Sequence, residues 1–352
     1  ISHIIMRKKS IALAENIQCK LEYFKQQKQF HNIAKLLTYA LEVNSSSDNQ
    51  IIFGYIPKIF REVEINKSAY KLEQQDLFIG EPVVYKIYYP EGKKLYCFPF
   101  FYIFCYIKKS SHQLNVYFQS ANPKYNNLYP KDYNLNQETI TFEGCISAFS
   151  NDDISVISVS DPGHFLPDIN SSYYVGSATI NFAKLISEVL ESICNLSGIS
   201  PNETLLFGSS AGTFGALLSS TYFKQKVNVL AVNSQIFIHY RATLMKFCFG
   251  FSKPQELIEQ YGEQISCTYR FQQEINSIPN IYILANMNDR LYQINFDFYQ
   301  MYVSRFTKKG ANNQSVFDSY YGIDGHGRPE VSSLKAKIRI AREILTMKST
   351  RD

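Results

Sequence analysis

The feature that most constrains this chain is the stretch Thr204-Leu-Leu-Phe-Gly208-Ser209-Ser210-Ala211-Gly212, which runs straight on into GTFGALLSS. A short apolar strand meets an Ala/Leu-rich helix across a G-x-S-x-G turn with Ser210 at its centre. A turn this tight tolerates only small residues on either side of the serine. Ser210 is expected in a strained conformation with its hydroxyl exposed. Its place at a helix N-terminus gathers backbone N–H donors and the positive end of the helix dipole. The bland alternative is that the glycines only let helix and strand pack, or that the turn binds phosphate.

A serine hydroxyl needs a base to take its proton, and the usual base is a histidine oriented by a carboxylate. Two histidines follow Ser210. His326 lies in the glycine-rich stretch Gly322-Ile-Asp-Gly-His326-Gly-Arg-Pro, between an expected strand and the last helix, where such a base belongs. His239 lies in IFIHYR and reads as structural. His164, in Asp161-Pro-Gly-His164, precedes the serine and is a weaker rival. For the carboxylate, Asp289 lies just past the strand Ile281–Ala285, with Asp318 and Asp324 as fallbacks. Asp297 falls on an expected helix and reads as a solvated face. An oxyanion hole would draw one donor from the Ala211 N–H and a second from Gln119, Ser120 or Ala121, after an earlier strand.

The rest of the sequence supports a strand–helix alternation after about residue 150. Strands are expected at 154–159, 204–207, 227–232, 281–285 and 315–320. Helices are expected at 178–196, 211–222, 241–262, 295–307 and 329–347, the last with Pro329 in its first turn. This implies an α/β fold with a mostly parallel sheet and helices on both faces, and loop chemistry at the carboxyl ends of the strands. Residues 49–110 read as N-terminal β-structure: a strand at 51–55, then 83–89, the turn Pro90-Glu-Gly92 and the apolar run LYCFPFFYIFCYI (95–107) forming a hairpin. Residues 114–118 read as a further strand. Residues 1–48 read as an antiparallel helix pair, broken near Gln29, that must dock on the rest of the chain or on a protein partner. The 233–275 insert, rich in Phe and Tyr, reads as a helical cap, either a wall for an acceptor or plain packing.

Composition sets limits. With 45% hydrophobic and 19% charged residues, 26 Tyr and 26 Phe, the 352-residue chain can fill a large core and still line a groove. The net charge of +5 is spread out, so nucleic acid is not an expected partner. The 95–107 run is too short to span a bilayer. Seven Cys without a C-x-x-C pair argue against a disulfide framework or structural zinc, and a reducing, cytoplasmic setting is expected. Ile1-Ser2-His3 reads as an appendage ahead of Met6, and no secretory leader pattern is visible. No metal or cofactor motif is found.

Ser210, Asp289 and His326, with their flanks, resemble the triad of the α/β-hydrolase superfamily over about residues 112–348. Within it, the stretch YYVGSATINFAKLISEVLESICNLSGISPNETLLFGSSAGTFGALLSS, with the tyrosine pair Tyr173 and Tyr174, is similar to bacterial proteins of surface-glycan loci, among them accessory-secretion-system and capsule O-acetyltransferase-like members. The resemblance implies esterase or O-acetyltransferase chemistry through an acyl-serine, a small-molecule or glycan ester as substrate, and an acyl donor such as acetyl-CoA. The pattern lacks the superfamily's HGGG-type oxyanion loop, and the N-terminal helix pair lies outside the superfamily core. The competing reading is a non-catalytic hydrolase-like scaffold in a polysaccharide or glycoprotein biosynthesis complex. A strained elbow with its base has no use in a pure scaffold.

Overall fold

A computed structural model describes residues 60–121, 142–150, 152–163, 169–273, 278–306 and 314–346, with isolated positions between 19 and 36. The helix pair expected at 1–48, the strand expected at 51–55 and His164 lie outside the described residues, apart from those isolated positions.

Among the described residues nine strands build one sheet: β1 (Arg61–Ile65), β2 (Val83–Tyr88), β3 (Phe100–Tyr106), β4 (Gln113–Phe118), β5 (Ile154–Val159), β6 (Thr204–Ser209), β7 (Asn228–Val232), β8 (Asn280–Asn286) and β9 (Val316–Tyr320). They lie in the order β1-β2-β3-β5-β4-β6-β7-β8-β9. β3 runs antiparallel to both its neighbours, and the remaining pairs are parallel. The fold is of the α/β-hydrolase type. The swap of β4 and β5 in the order places the carboxyl ends of β4 and β6 side by side, and that juxtaposition creates the site.

Among the described residues the main helices follow the same logic: α1 (Phe182–Ser197), α2 (Ala211–Ser220), α3 (Ala242–Phe249), α4 (Pro254–Ile265), α5 (Cys267–Gln272), α6 (Tyr292–Phe298) and α7 (Val331–Thr346). α1 starts where the Asn181 side chain accepts the Lys184 N–H at 3.1 Å and stops at Gly198, whose φ of 72° closes the helix. α6 continues through a π turn to Phe306.

The strands alternate strictly between two cores. Leu206, Val229, Ala231, Ile281 and Ile283 face one layer with α1 and α2. Leu205, Phe207, Leu230, Val232, Tyr282 and Leu284 face the other, closed by α7 and by residues 142–149. Both faces are covered, so these strands read as continuous apolar runs. α2 lies in the centre of the molecule, with all ten of its residues buried. Arg342 anchors α7. It is 5% exposed and donates to the carbonyls of Glu203 and Leu114, each at 2.7 Å, and to Asn115 Oδ1.

Three differences from the expected elements have local causes. The 95–107 run divides into a tight turn and a strand: Leu95 and Phe98 exchange backbone hydrogen bonds, with Tyr96 (φ 53°) and Cys97 (φ 71°) left-handed between them, and Pro99 precedes β3. The terminal helix begins at Val331, so Pro329 lies before it, not in its first turn. The segment expected helical over 241–262 is α3 and α4, separated at Gly250, which has φ 86°. Among the described residues no helix is long and apolar enough to cross a membrane.

Candidate active site

β6 ends at Ser209 and α2 begins at Ala211, so Ser210 is the whole turn, at φ 52° and ψ −118°. Side-chain-bearing residues rarely occupy that region, and holding one there costs about 1–3 kcal/mol. The surroundings enforce it. A Cβ on Gly208 would lie 2.4 Å from the Gly212 carbonyl carbon, and one on Gly212 would lie 2.5 Å from the Phe118 carbonyl oxygen. The helix therefore begins hard against the ends of β6 and β4. The Ser210 N–H donates to Val232 O at 2.9 Å, and the Thr213 hydroxyl donates to Ser210 O at 2.6 Å.

Three side chains, far apart in the chain, meet above this turn. Ser210 Oγ lies 2.7 Å from His326 Nε2, and His326 Nδ1 lies 2.7 Å from Asp289 Oδ2. An ionised carboxylate only accepts, so Nδ1 carries the proton and Nε2 is free to accept the serine hydroxyl. The Asp289 side chain is 2% exposed and the His326 side chain 37% exposed. Asp289 is itself oriented, because its Oδ1 accepts the Leu291 N–H at 3.0 Å.

Three asparagines hold the loop that carries His326. Asn286 accepts the Gly322 N–H at 2.9 Å and donates to Gly322 O and Gly325 O. Asn288 donates to Ile323 O at 3.1 Å. Asn233 donates to the Tyr320 hydroxyl at 2.8 Å and to Gly327 O at 3.1 Å, and accepts the Asn286 N–H at 2.8 Å. None of these was singled out from the sequence. A polar residue at the carboxyl end of a strand is the available signal, and it does not say which loop the amide will grip.

The other residues considered lie elsewhere. Asp318 takes a short bond from the Tyr282 hydroxyl and one of 2.5 Å from Lys337 Nζ. Burial pushes its pKa up, but the Lys337 and Tyr282 bonds outweigh that and hold its carboxyl below the usual range. Asp297 is exposed and accepts from Gln293 at 2.8 Å. Asp324 is exposed on the His326 loop, and the two imidazole nitrogens are taken by Asp289 and Ser210 instead. His239 is 7% exposed, its Nδ1 lacks a partner among the described residues, and burial lowers its pKa.

The loop after β4 corrects one expectation. The Gln119 N–H donates to Val159 O at 3.2 Å, and the Ser120 N–H to Glu143 Oε2 at 2.6 Å. Both backbone donors are spent within the protein, because β4 and β5 remain paired through Gln119 and a carboxylate meets Ser120. The Ala121 N–H has no partner among the described residues, and the Ala211 N–H is the first of α2, which no carbonyl within the helix can take. The loop is held from below by Tyr174, whose hydroxyl donates to Gln119 O at 2.7 Å, and by Gln119 Oε1, which accepts the Asp161 N–H at 2.8 Å. Tyr173, the other member of the tyrosine pair, carries the Arg241 guanidinium 4.8 Å above its ring. Among the described residues no three His, Cys, Asp or Glu side chains gather as metal ligands would.

Fold and elbow together define an α/β-hydrolase-type scaffold. No family model matches the chain, and no curated protein matches it in sequence. Among solved structures it is similar to a capsule O-acetyltransferase of Neisseria meningitidis serogroup A, at 16% identity over 69% of this chain and 91% of that one, with a TM-score of 0.46. It is similar to a Glycosylation Associate Protein (Gap123) complex from Streptococcus agalactiae, at 13% identity over 72% of this chain and 46% of that one, with a TM-score of 0.45. A thermophilic esterase from Thermogutta terrifontis aligns at 12% identity over 75% of this chain and 97% of that one, with a TM-score of 0.44.

Proposed function

We propose that the protein is a serine-dependent acyl-transfer enzyme, an esterase or an O-acyltransferase, working through an acyl-Ser210 intermediate. The observation that carries this is the continuous hydrogen-bonded line Ser210–His326–Asp289, with both links at 2.7 Å, ending on a serine at φ 52°.

Each step uses groups already in place. As Ser210 Oγ bonds to the substrate's carbonyl carbon, His326 Nε2 takes the hydroxyl proton. Asp289 holds the imidazole in the required tautomer and stabilises the imidazolium that forms. The carbonyl oxygen becomes an oxyanion facing the Ala211 and Ala121 N–H groups; one such donor is worth about 10²–10³ in turnover. His326 then returns its proton to the departing alcohol or thiol as the bond from the acyl carbon breaks. In the second half-reaction His326 takes a proton from water or from an acceptor hydroxyl as that oxygen bonds to the acyl carbon. It then gives the proton to Ser210 Oγ as the acyl–Oγ bond breaks, which restores the serine and the neutral imidazole. Esterase and transferase share the first half and differ only in the second. The sequence resemblance puts a sugar hydroxyl among the acceptors and acetyl-CoA among the donors.

A fluorophosphonate probe tests the reading. Covalent labelling of the wild-type protein that is lost in Ser210→Ala is the expected result. A folded wild-type protein that resists the probe, and that leaves p-nitrophenyl acetate and acetyl-CoA unconsumed, would return the chain to the scaffold class. Mass spectrometry of acyl-Ser210, chased with water or with glycan acceptors, then separates hydrolysis from transfer.

A further inference from the structure

The Ser120 N–H is satisfied by a carboxylate that reaches it from the opposite layer of the protein, and that carboxylate is tied to the loop of the base. Glu143 Oε2 accepts the Ser120 N–H at 2.6 Å and the Ser120 hydroxyl at 3.0 Å. Arg328, two residues beyond His326, pairs with Glu143 Oε1 and also donates to Ser120 Oγ. The Glu143 side chain is 13% exposed and that of Arg328 39% exposed. A shielded carboxylate bonded to a backbone N–H and a guanidinium forms a stronger and better oriented contact than a surface ion pair.

The support of Glu143 is rigid. Its neighbours Phe142 and Cys145 are 1% and 0% exposed in the core beneath the sheet. Gly144, at φ 74°, lies so close to Tyr117 that a Cβ there would come within 2.3 Å of its ring. The Ser158 hydroxyl donates to Glu143 O at 2.8 Å. The carboxylate is thus held by β4 and β5 from below, while its far end holds the loops that follow β4 and β9.

We propose that Glu143, clamped by Arg328, is a positioning residue that fixes the Ser120 peptide so that the adjoining Ala121 N–H is aimed at the developing oxyanion, and that it locks this donor in register with His326. The inference rests on the acyl-transfer reading above and extends it. An oxyanion donor works only if it is aimed before the charge develops. Here aim at both ends of the reacting group, the oxyanion and the base, is set by one bridge. Tyr174 and Asp161 restrain Gln119 from the other face, but among the described residues neither makes a hydrogen bond to the base loop.

The test measures kcat and KM on p-nitrophenyl acetate, with the fluorophosphonate labelling rate, in Glu143→Ala, Glu143→Gln, Arg328→Ala and the double alanine variant, each checked for fold by circular dichroism and thermal melting. Glu143→Ala is expected to lower kcat about 10- to 100-fold with KM within about twofold, the mark of an interaction that acts in the transition state. Glu143→Gln keeps an acceptor for Ser120 and is expected to recover most of that loss. The double variant is expected to be no slower than Glu143→Ala, because the two residues act as one unit. If Glu143→Ala fails to fold, the Arg328→Ala loss, also in kcat alone, carries the same prediction. Folded Glu143→Ala or Arg328→Ala variants that label and turn over at wild-type rates overturn the inference and leave the acyl-transfer reading standing. A wild-type protein that neither labels nor turns over defeats both.

Discussion

Asn286 grips the backbone of Gly325, the residue immediately before His326, through its side-chain amide. The same side chain accepts the Gly322 N–H at 2.9 Å, so one buried asparagine at the end of β8 fixes both arms of the loop that carries the imidazole. Asp289, three residues further on, orients the ring itself at 2.7 Å. β8 thus supplies the loop clamp and the carboxylate together.

Asn286→Ala removes the loop clamp and leaves Asp289 in place. The variant is expected to melt lower, since each unpaired buried polar group costs about 1–3 kcal/mol. It is also expected to lose about 100-fold in kcat, because a displacement of the base of about 1 Å costs that much. Steady-state kinetics with a melting curve check both. A melting loss with unchanged kcat would show that the clamp stabilises the loop without placing the imidazole.

Ser210→Gly should uncouple stability from activity. At φ 52° the serine stores strain of about 1–3 kcal/mol, and glycine occupies this region freely at an entropic cost of about 0.5–1 kcal/mol. The glycine variant is expected to be inert and about 1 kcal/mol more stable than Ser210→Ala, which loses the same hydroxyl but keeps the strain. Chemical denaturation of the two variants gives the difference. Equal stabilities would mean that the turn is not strained.

The elbow was legible because it is local. Gly208, Ser210 and Gly212 lie within five consecutive residues, and the close approaches that demand glycine follow from a turn with no room in it. The chain order Ser, Asp, His was legible because parallel strands deliver their following loops to one edge. Asp289 and His326 could therefore be placed near Ser210 with no knowledge of any contact. The asparagine clamps and Glu143 were not legible. Each acts across a long sequence separation, and a lone amide or carboxylate in a loop carries no periodicity to betray its partner. Glu143 also comes from a stretch whose sequence suggests neither strand nor helix. Within the β-structure expected over 49–110 the sequence marks no separate strand at β1, because REVEI is short, polar and at the sheet edge.

Arg342 offers a test of the layer beneath the sheet. Burial depresses its pKa to about 10, with Glu203 the main opposing influence. Its guanidinium joins α7 to the starts of β4 and β6, the two strands whose far ends frame Ser210. Arg342→Met fills much of the volume but leaves the Leu114 and Glu203 carbonyls unpaired. A loss of about 3 kcal/mol is expected, with kcat nearly unchanged in the fraction that remains folded. A kcat loss larger than the unfolded fraction explains would mean that strand ends, and not loops alone, set the site.

His239 makes a prediction about acid stability. It is 7% exposed, its Nδ1 has no partner among the described residues, and burial lowers its pKa with no charged neighbour contributing. The unfolded chain takes up a proton at this side chain near its ordinary value of about 6.5, whereas the folded protein resists until lower pH. Below about 6.5 the unfolded state therefore binds more protons, and stability falls as pH drops toward the lowered folded value; above about 6.5 the contribution is complete. His239→Phe keeps an aromatic ring against Tyr240, whose centroid lies 4.3 Å from that of His239, and removes the titration. Melting temperatures of wild type and variant, taken at about pH 7.5 and about pH 5.5, give a difference in which every other titrating group cancels. Acidification is expected to lower the wild type more than the variant. Parallel shifts would show that the imidazole accepts its proton as readily in the folded protein as in the unfolded one, and that the ring is reached by water despite its burial.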